Sequence, residues 1–330
     1  EATGQGVVVA VLDEGFDLVH PDLSYAPGAM SFVCWQAPDW YVELSSPPFC
    51  ESPAYGSGFN FGPGAFPPLS DVFSHATHVS GTISALDNGL GVIGVAPEAN
   101  VLPVKVLSEY LGGGYSSWIL QGILYAVGQG ADVINMSLSG TVDLSEVPPG
   151  QRDDVMRSHI VLYRRVVNYA YQRGTTVVVS AGNGGIDTDG DGQVWIRPAE
   201  FEKVLTVSAT APYGIAYDPA AYLDSPAHYT NFGTSLVDFA APGGDWVFPG
   251  GYYYMDMVLS TGSADGWYWS AGTSMAAPHV AGVAALIIGE AGGSLHPAKV
   301  EQALRKRAED LGKPGHDDFY GAGRVSTGYW

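Results

Sequence analysis

Six short runs of apolar, mostly β-branched residues constrain this chain most: residues 7–12, 101–107, 133–138, 176–180, 204–208 and 237–241. The runs are continuous rather than alternating, which suits strands buried on both faces of a parallel sheet. Segments of helical character separate them: residues 75–86, 117–127, 154–172, 276–290 and 297–307. The fourth is apolar on nearly every face and reads as a central buried helix. The last opens with Pro297 in its first turn, where the missing N–H costs nothing. Strands alternating with helices predict an α/β fold: a three-layer, doubly wound, mostly parallel sheet with helices on both faces. With 330 residues, no internal repeat and no linker, the chain reads as a single domain over 1–330. The Pro/Gly-rich stretches 26–68, 141–151 and 243–266 read as surface insertions.

No run of about eighteen apolar residues occurs, so no membrane span is expected. The start lacks a basic segment followed by an apolar one, so no signal peptide is read there. With 34 acidic against 14 basic residues, the net charge of −20 disfavours nucleic acid and anionic membranes as partners. The two cysteines, Cys34 and Cys50, lie in one long loop. Closing a loop of this size stabilises by about 3 kcal/mol where geometry permits. Pairing is the preferred reading over two free thiols, and it implies an oxidising compartment.

In an open parallel sheet, functional groups gather beyond the carboxyl ends of the strands. Asp13 follows the first run directly and is either a turn aspartate before Gly15 or a functional carboxylate. His75 opens a helix, as a cap, a core residue or a base; His78, one turn on, reads as structural. Ser274 begins the buried helix after Gly272 and Thr273, where free N–H groups and the helix dipole favour negative charge. A positioned nucleophile is preferred there over a plain cap. Asn183, in Ser180-Ala181-Gly182-Asn183-Gly184, is either a left-handed turn residue or an amide aimed into a cleft. Asp187, Asp189 and Asp191 alternate around Gly190, like the start of a calcium-binding EF-hand loop, but Pro198 stands where the closing glutamate belongs. Three such close carboxylates repel unless a cation intervenes, which tips the reading toward Ca2+ over a solvated turn.

Together the blocks around Asp13, His75-Ala76-Thr77-His78, Ser180 to Asn183, and Gly272-Thr273-Ser274-Met275-Ala276-Ala277-Pro278-His279 resemble the subtilisin-like serine proteases, in that family's chain order. The resemblance runs from near residue 4 to near residue 325. It implies a secreted serine endopeptidase acting on proteins or peptides through an acyl-enzyme. In that scheme Ser274 attacks, His75 shuttles the proton, Asp13 orients the imidazole, and Asn183 with the Ser274 N–H binds the oxyanion. It further implies a substrate-pairing edge at Leu107, Gly112, Gly113, Gly114 and Tyr115. Ser137, Leu138, Ser139 and Gly140 would form the opposite edge and one pocket wall, with cleavage after large apolar or aromatic residues. A structural Ca2+ site is implied at Asp22 and Asn88, with carbonyls of Leu86, Leu90 and Val92. An upstream pro-segment acting as inhibitor and folding aid, and a monomer, also follow. Glu14 departs from the family's usual hydroxyl residue and is expected to shift the pH optimum. Ser139, Ile196 and Arg197 depart in the pocket walls. A narrow-specificity processing protease and a non-catalytic binding module are the rival readings. An esterase is disfavoured because Ser274 is in no Gly-x-Ser-x-Gly elbow.

Overall fold

The computed structural model describes residues 2–35, 49–54, 73–148, 150–190 and 194–328. Its strands are β1 (Val8–Asp13), β2 (Met30–Ser31), β3 (Cys34–Trp35), β4 (Phe49–Cys50), β5 (Asn100–Lys105), β6 (Val133–Met136) and β7 (Gly140–Asp143). They continue with β8 (Thr176–Ser180), β9 (Val194–Arg197), β10 (Val204–Ala211), β11 (Ser225–Pro226), β12 (Phe239–Pro242), β13 (Val258–Thr261) and β14 (Trp267–Ser270). Its α-helices are α1 (His75–Ser84), α2 (Ser116–Gly128), α3 (Arg152–Gln172), α4 (Thr273–Glu290) and α5 (Pro297–Arg307).

The main sheet runs β11-β10-β8-β6-β1-β5-β2, with β12 also on β10, and only the β10–β11 pair is antiparallel. Each of its central strands feeds two cores. In β1, Val9 and Val11 pack into the layer that holds α1 and α4, while Ala10 and Leu12 pack into the layer that holds α2. In β8, Val178 serves the first layer and Val177 and Val179 the second. This two-sided burial is why the runs are continuous rather than alternating. At about 25 cal/mol per Å2 of apolar area, each fully buried Val or Leu here stabilises by roughly 1.5–3 kcal/mol. The expected α/β architecture is the one found.

The runs at 133–138 and 101–107 leave the ladder early, at Met136 and Lys105. Just past those ends, Leu107, Ser137 and Leu138 line a cleft. Parts of the stretches 141–151 and 243–266 form regular strands. The first contributes most of β7, paired antiparallel with β9. The second contributes β13, paired antiparallel with β14. The sequence reading missed both hairpins because neither alternates cleanly in polarity. Cys34 and Cys50 lie opposite each other on β3 and β4 and form the expected disulfide. No helix among the described residues is long and apolar enough to cross a membrane.

Candidate active site

β1 has strands on both sides: the chain builds β2 and β5 on one side of it and then crosses to β6 on the other. A crevice at such a switch point is where open α/β sheets bind ligands. Asp13 ends β1 there, fully buried, and its backbone carbonyl accepts from Val106 and Leu107 N–H. Helix α1 is set against it by its cap. Ser74 Oγ accepts from Thr77 N at 3.0 Å and donates to the Gly15 carbonyl at 2.7 Å, tying the helix start to the turn after Asp13. His75 therefore faces Asp13, and its Nδ1 lies 2.9 Å from both carboxylate oxygens. That contact selects the tautomer with the proton on Nδ1 and leaves Nε2 able to accept one.

Glu14 completes a compact acidic group. Its Oε1 accepts from the His75 backbone N–H at 2.8 Å. Burial is the main cause that carries Glu14 up to about 7; nearby Asp13 adds to the rise, while positive His75 opposes it. For His75, burial alone would lower the pKa. The charge and hydrogen bond of Asp13, and then Glu14, overcome burial and carry it up to about 9. His78 has the structural role expected: its Nε2 lies 3.0 Å from the Tyr268 carbonyl and 3.2 Å from that of Val258. Burial, reinforced by positive His75, lowers it to about 4, so His78 stays neutral.

Ser274 is the second residue of α4. Pro278, four residues on, has no N–H to offer the Ser274 carbonyl. Ser137 Oγ takes that place, donating to the Ser274 carbonyl at 2.7 Å. In return Ser274 Oγ donates to the Ser137 carbonyl at 3.3 Å. Ser274 and His75 line one cleft of about 610 Å3, though the hydroxyl's hydrogen bond goes to Ser137 rather than to the imidazole. Catalytic hydrogen bonds are often long or misaligned without substrate, and a turn about χ1 re-aims a serine hydroxyl.

Asn183 is oriented by its oxygen. Its Oδ1 accepts from Thr273 N at 2.9 Å and Thr273 Oγ1 at 2.8 Å. The amide nitrogen lies on the Gly272 side, next to the start of α4. Gly182, at φ +97°, makes this turn possible: a Cβ there would meet Asn231 Nδ2 at 2.5 Å.

The cleft also gathers Leu107, Gly112, Gly113 and Gly114 on one side and Ser137, Leu138, Ser139 and Gly140 on the other. Tyr115 is 62 % exposed and lies outside its lining. Arg197 pairs with Gly140 in the β7–β9 ladder and lines the far wall with Pro198. The sequence reading named Glu14 as a neighbour of Asp13, but it missed Phe73, Glu109, Ile119 and Tyr163 as wall residues. Tyr163 had no local signal: it sits mid-way along α3, stacked on Phe201 with ring centroids 5.3 Å apart.

The residues of the two expected Ca2+ sites have different surroundings. Asp22 is fully buried, and its Oδ2 accepts from Trp267 Nε1 at 2.9 Å and Val92 N at 3.3 Å. Its Oδ1 is buried with no hydrogen-bond partner among the described residues, which favours a cation beside it. Asn88 is exposed, and its Oδ1 accepts from Leu90 N at 2.8 Å. Leu86 is tied to Asp22 through its own N–H, which donates to the Asp22 carbonyl at 3.0 Å. In the second loop the described carboxylates, Asp187 and Asp189, accept from protein donors. Asp189 accepts from the backbone N–H and hydroxyl of both Thr234 and Ser235. Those bonds, Ser235 first and then Thr234, hold its carboxyl well below the usual range. Asp187 Oδ1 accepts from Asp189 N. Asp191 lies outside the described residues. Hydroxyl and amide donors thus engage Asp189, and an amide donor engages Asp187.

Residues 4–323 match the model of the subtilase family. The chain belongs to the subtilase family. Subtilisin NAT of Bacillus subtilis subsp. natto is 34% identical over 328 residues, covering 98% of this chain and 65% of that protein. The chain thus spans just under two thirds of that relative's length. Subtilisin of Bacillus pumilus is also 34% identical over 328 residues, with 98% of this chain and 90% of that one covered. Among solved structures, a lanthipeptide protease superposes with a TM-score of 0.70 at 28% identity, covering 98% of this chain and 86% of that one.

Proposed function

We propose that this subtilase is a serine endopeptidase that cleaves proteins or peptides through an acyl-enzyme. The observation that carries the reading is the His75 imidazole held by Asp13 in the cleft that Ser274 also lines. Ser274 Oγ attacks the scissile carbonyl as His75 Nε2 takes its proton. Asp13 stabilises the imidazolium, and Asn183 Nδ2 with the Ser274 N–H receives the oxyanion. His75 then protonates the leaving amine, and water resolves the ester by the same steps in reverse. Substrate pairs as an extended strand between the Leu107/Gly112–Gly114 edge and the Ser137–Gly140 edge. A large apolar or aromatic side chain fills the pocket beyond, with the Arg197 guanidinium at its wall.

The disulfide supports a secreted protein in an oxidising compartment. The partnerless Asp22 Oδ1 supports one structural Ca2+, with Asp22 and Asn88 as side-chain ligands and the 86–92 loop supplying carbonyls. A monomer with a removable pro-segment completes the proposal. A second reading, a processing protease with one narrow substrate, is favoured by the likeness to the lanthipeptide protease and by the charged pocket wall. Cleavage-site profiling on a peptide library tests both, with Ser274→Ala as control. Many sites after apolar residues support the first, and a single site supports the second. Equal cleavage by wild type and Ser274→Ala overturns both.

A further inference from the structure

Beside the cleft lies a buried ionic group that the proposed mechanism does not use. Lys105, at the end of β5, is 1 % exposed. Its Nζ sits 2.9 Å from Glu51 Oε2 and 2.6 Å from Glu109 Oε1, and both glutamates are buried. Glu51 follows Cys50 directly and comes from the disulfide-closed hairpin, far from β5 in sequence. Its backbone N–H donates to the Val33 carbonyl at 2.9 Å, next to Cys34. Its carboxylate also holds the turn that follows β5. Oε1 accepts from Ser108 Oγ, and Oε2 accepts from Glu109 N at 3.3 Å.

Ser108 is the hub of that turn. Its Oγ accepts from Tyr110 N and Leu111 N at 3.2 and 3.1 Å. Its backbone N–H donates to the Gly113 carbonyl at 2.9 Å, and its own carbonyl accepts from Gly112 N at 3.1 Å. These contacts shape the 107–114 edge of the cleft. Two carboxylates around one ammonium would be a poor arrangement for stability alone, because burial costs each charge its hydration. The second carboxylate finds its use in the turn, where it bonds a hydroxyl and an amide.

We propose that Glu51 is a positioning residue: braced by Lys105 and by the Cys34–Cys50 hairpin, it sets the substrate-pairing edge through Ser108. This rests on the endopeptidase reading of the same cleft. It assigns the hairpin a role in binding the acyl side of extended substrates and none in the chemistry at Ser274. Loss of the Glu51 contact loosens an edge that long peptides use and that a short ester never touches.

The test compares wild type, Glu51→Gln and Cys34→Ser/Cys50→Ser on a chromogenic tetrapeptide and on a single-residue nitrophenyl ester. The expected result is a KM for the tetrapeptide raised by roughly five- to tenfold with kcat nearly unchanged, and ester kinetics within about twofold of wild type. Combining the changes should add little, because both act on one contact. Hydrogen exchange should speed up at the amides of residues 108–114 and not in β8. Equal losses on tetrapeptide and ester, or additive effects of the two changes, overturn the proposal. A wild type that hydrolyses neither substrate overturns the endopeptidase reading instead; unchanged exchange at 108–114 in Glu51→Gln then overturns the positioning role on its own.

Discussion

Glu14→Gln isolates the effect of one buried charge on the proposed base. The amide keeps an acceptor for the His75 N–H, which Glu14 Oε1 now meets at 2.8 Å, and removes only the ionisable group. Ionised Glu14 stabilises the imidazolium and is one of the groups that carry His75 up to about 9. A unit charge roughly 6 Å away at an effective dielectric of 20–40 contributes about 1.5–3 kcal/mol. Glu14, at about 7, is ionised where His75 titrates, at about 9, so the expected drop in the His75 pKa is about one to two units. The acid limb of kcat/KM, followed on a chromogenic peptide from about pH 5 to 10, should move to lower pH by that amount. Stability gives a second readout with its own sign. Burial raises Glu14 from 4.5 in the open chain to about 7 in the fold. The unfolded chain therefore releases this proton first, and the native state loses up to about 3 kcal/mol as pH climbs through that window. The cost is absent below the lower value and complete above the higher one. Glu14→Gln should accordingly gain stability over wild type at about pH 8 and little at about pH 4, read from urea midpoints. An acid limb that stays put or moves upward would refute the electrostatic reasoning, as would a midpoint difference that does not change with pH.

Asn183→Leu should lower kcat by about 10²–10³ with KM little changed, since the amide acts on charge formed in the transition state; steady-state kinetics on the same peptide checks this. Thr273→Val removes one of the two donors that orient Asn183 Oδ1 and should cost about tenfold in kcat, read in the same assay. Lys105→Met strands two buried carboxylates and should lower unfolding free energy by about 3–5 kcal/mol in denaturant titration, far more than Glu51→Gln. A calcium chelator should lower the thermal midpoint of wild type but not of Asp22→Asn, and Asp189→Asn should leave the chelator effect intact.

The central strands were legible because the sheet buries both their faces, so that their apolar runs need no partner to be recognised. β8 was read to the residue, at Thr176–Ser180. Helix α5 was likewise marked by its own signal, Pro297 in its first turn. The β13–β14 hairpin was not legible, because distant groups hold it. His78 reaches the Val258 and Tyr268 carbonyls, and the Ser260 and Thr261 hydroxyls donate to carbonyls of α1. In the site, Asp13, His75, Asn183 and Ser274 stand in short blocks whose local order carries the resemblance. Glu109 and Tyr163 stand in no such block; only the fold brings them to the cleft. The same limit explains the aspartate loop. Its spacing suggested a cation, but Thr234 and Ser235, some 45 residues away in sequence, satisfy Asp189.

The account depends most on Ser274 being a nucleophile that His75 activates. A fluorophosphonate with mass mapping of the labelled peptide tests this directly. It should modify wild type at Ser274, fail on Ser274→Ala, and react at least about a hundredfold more slowly with His75→Ala. Labelling elsewhere in the chain, or equal rates with and without the imidazole, would contradict it.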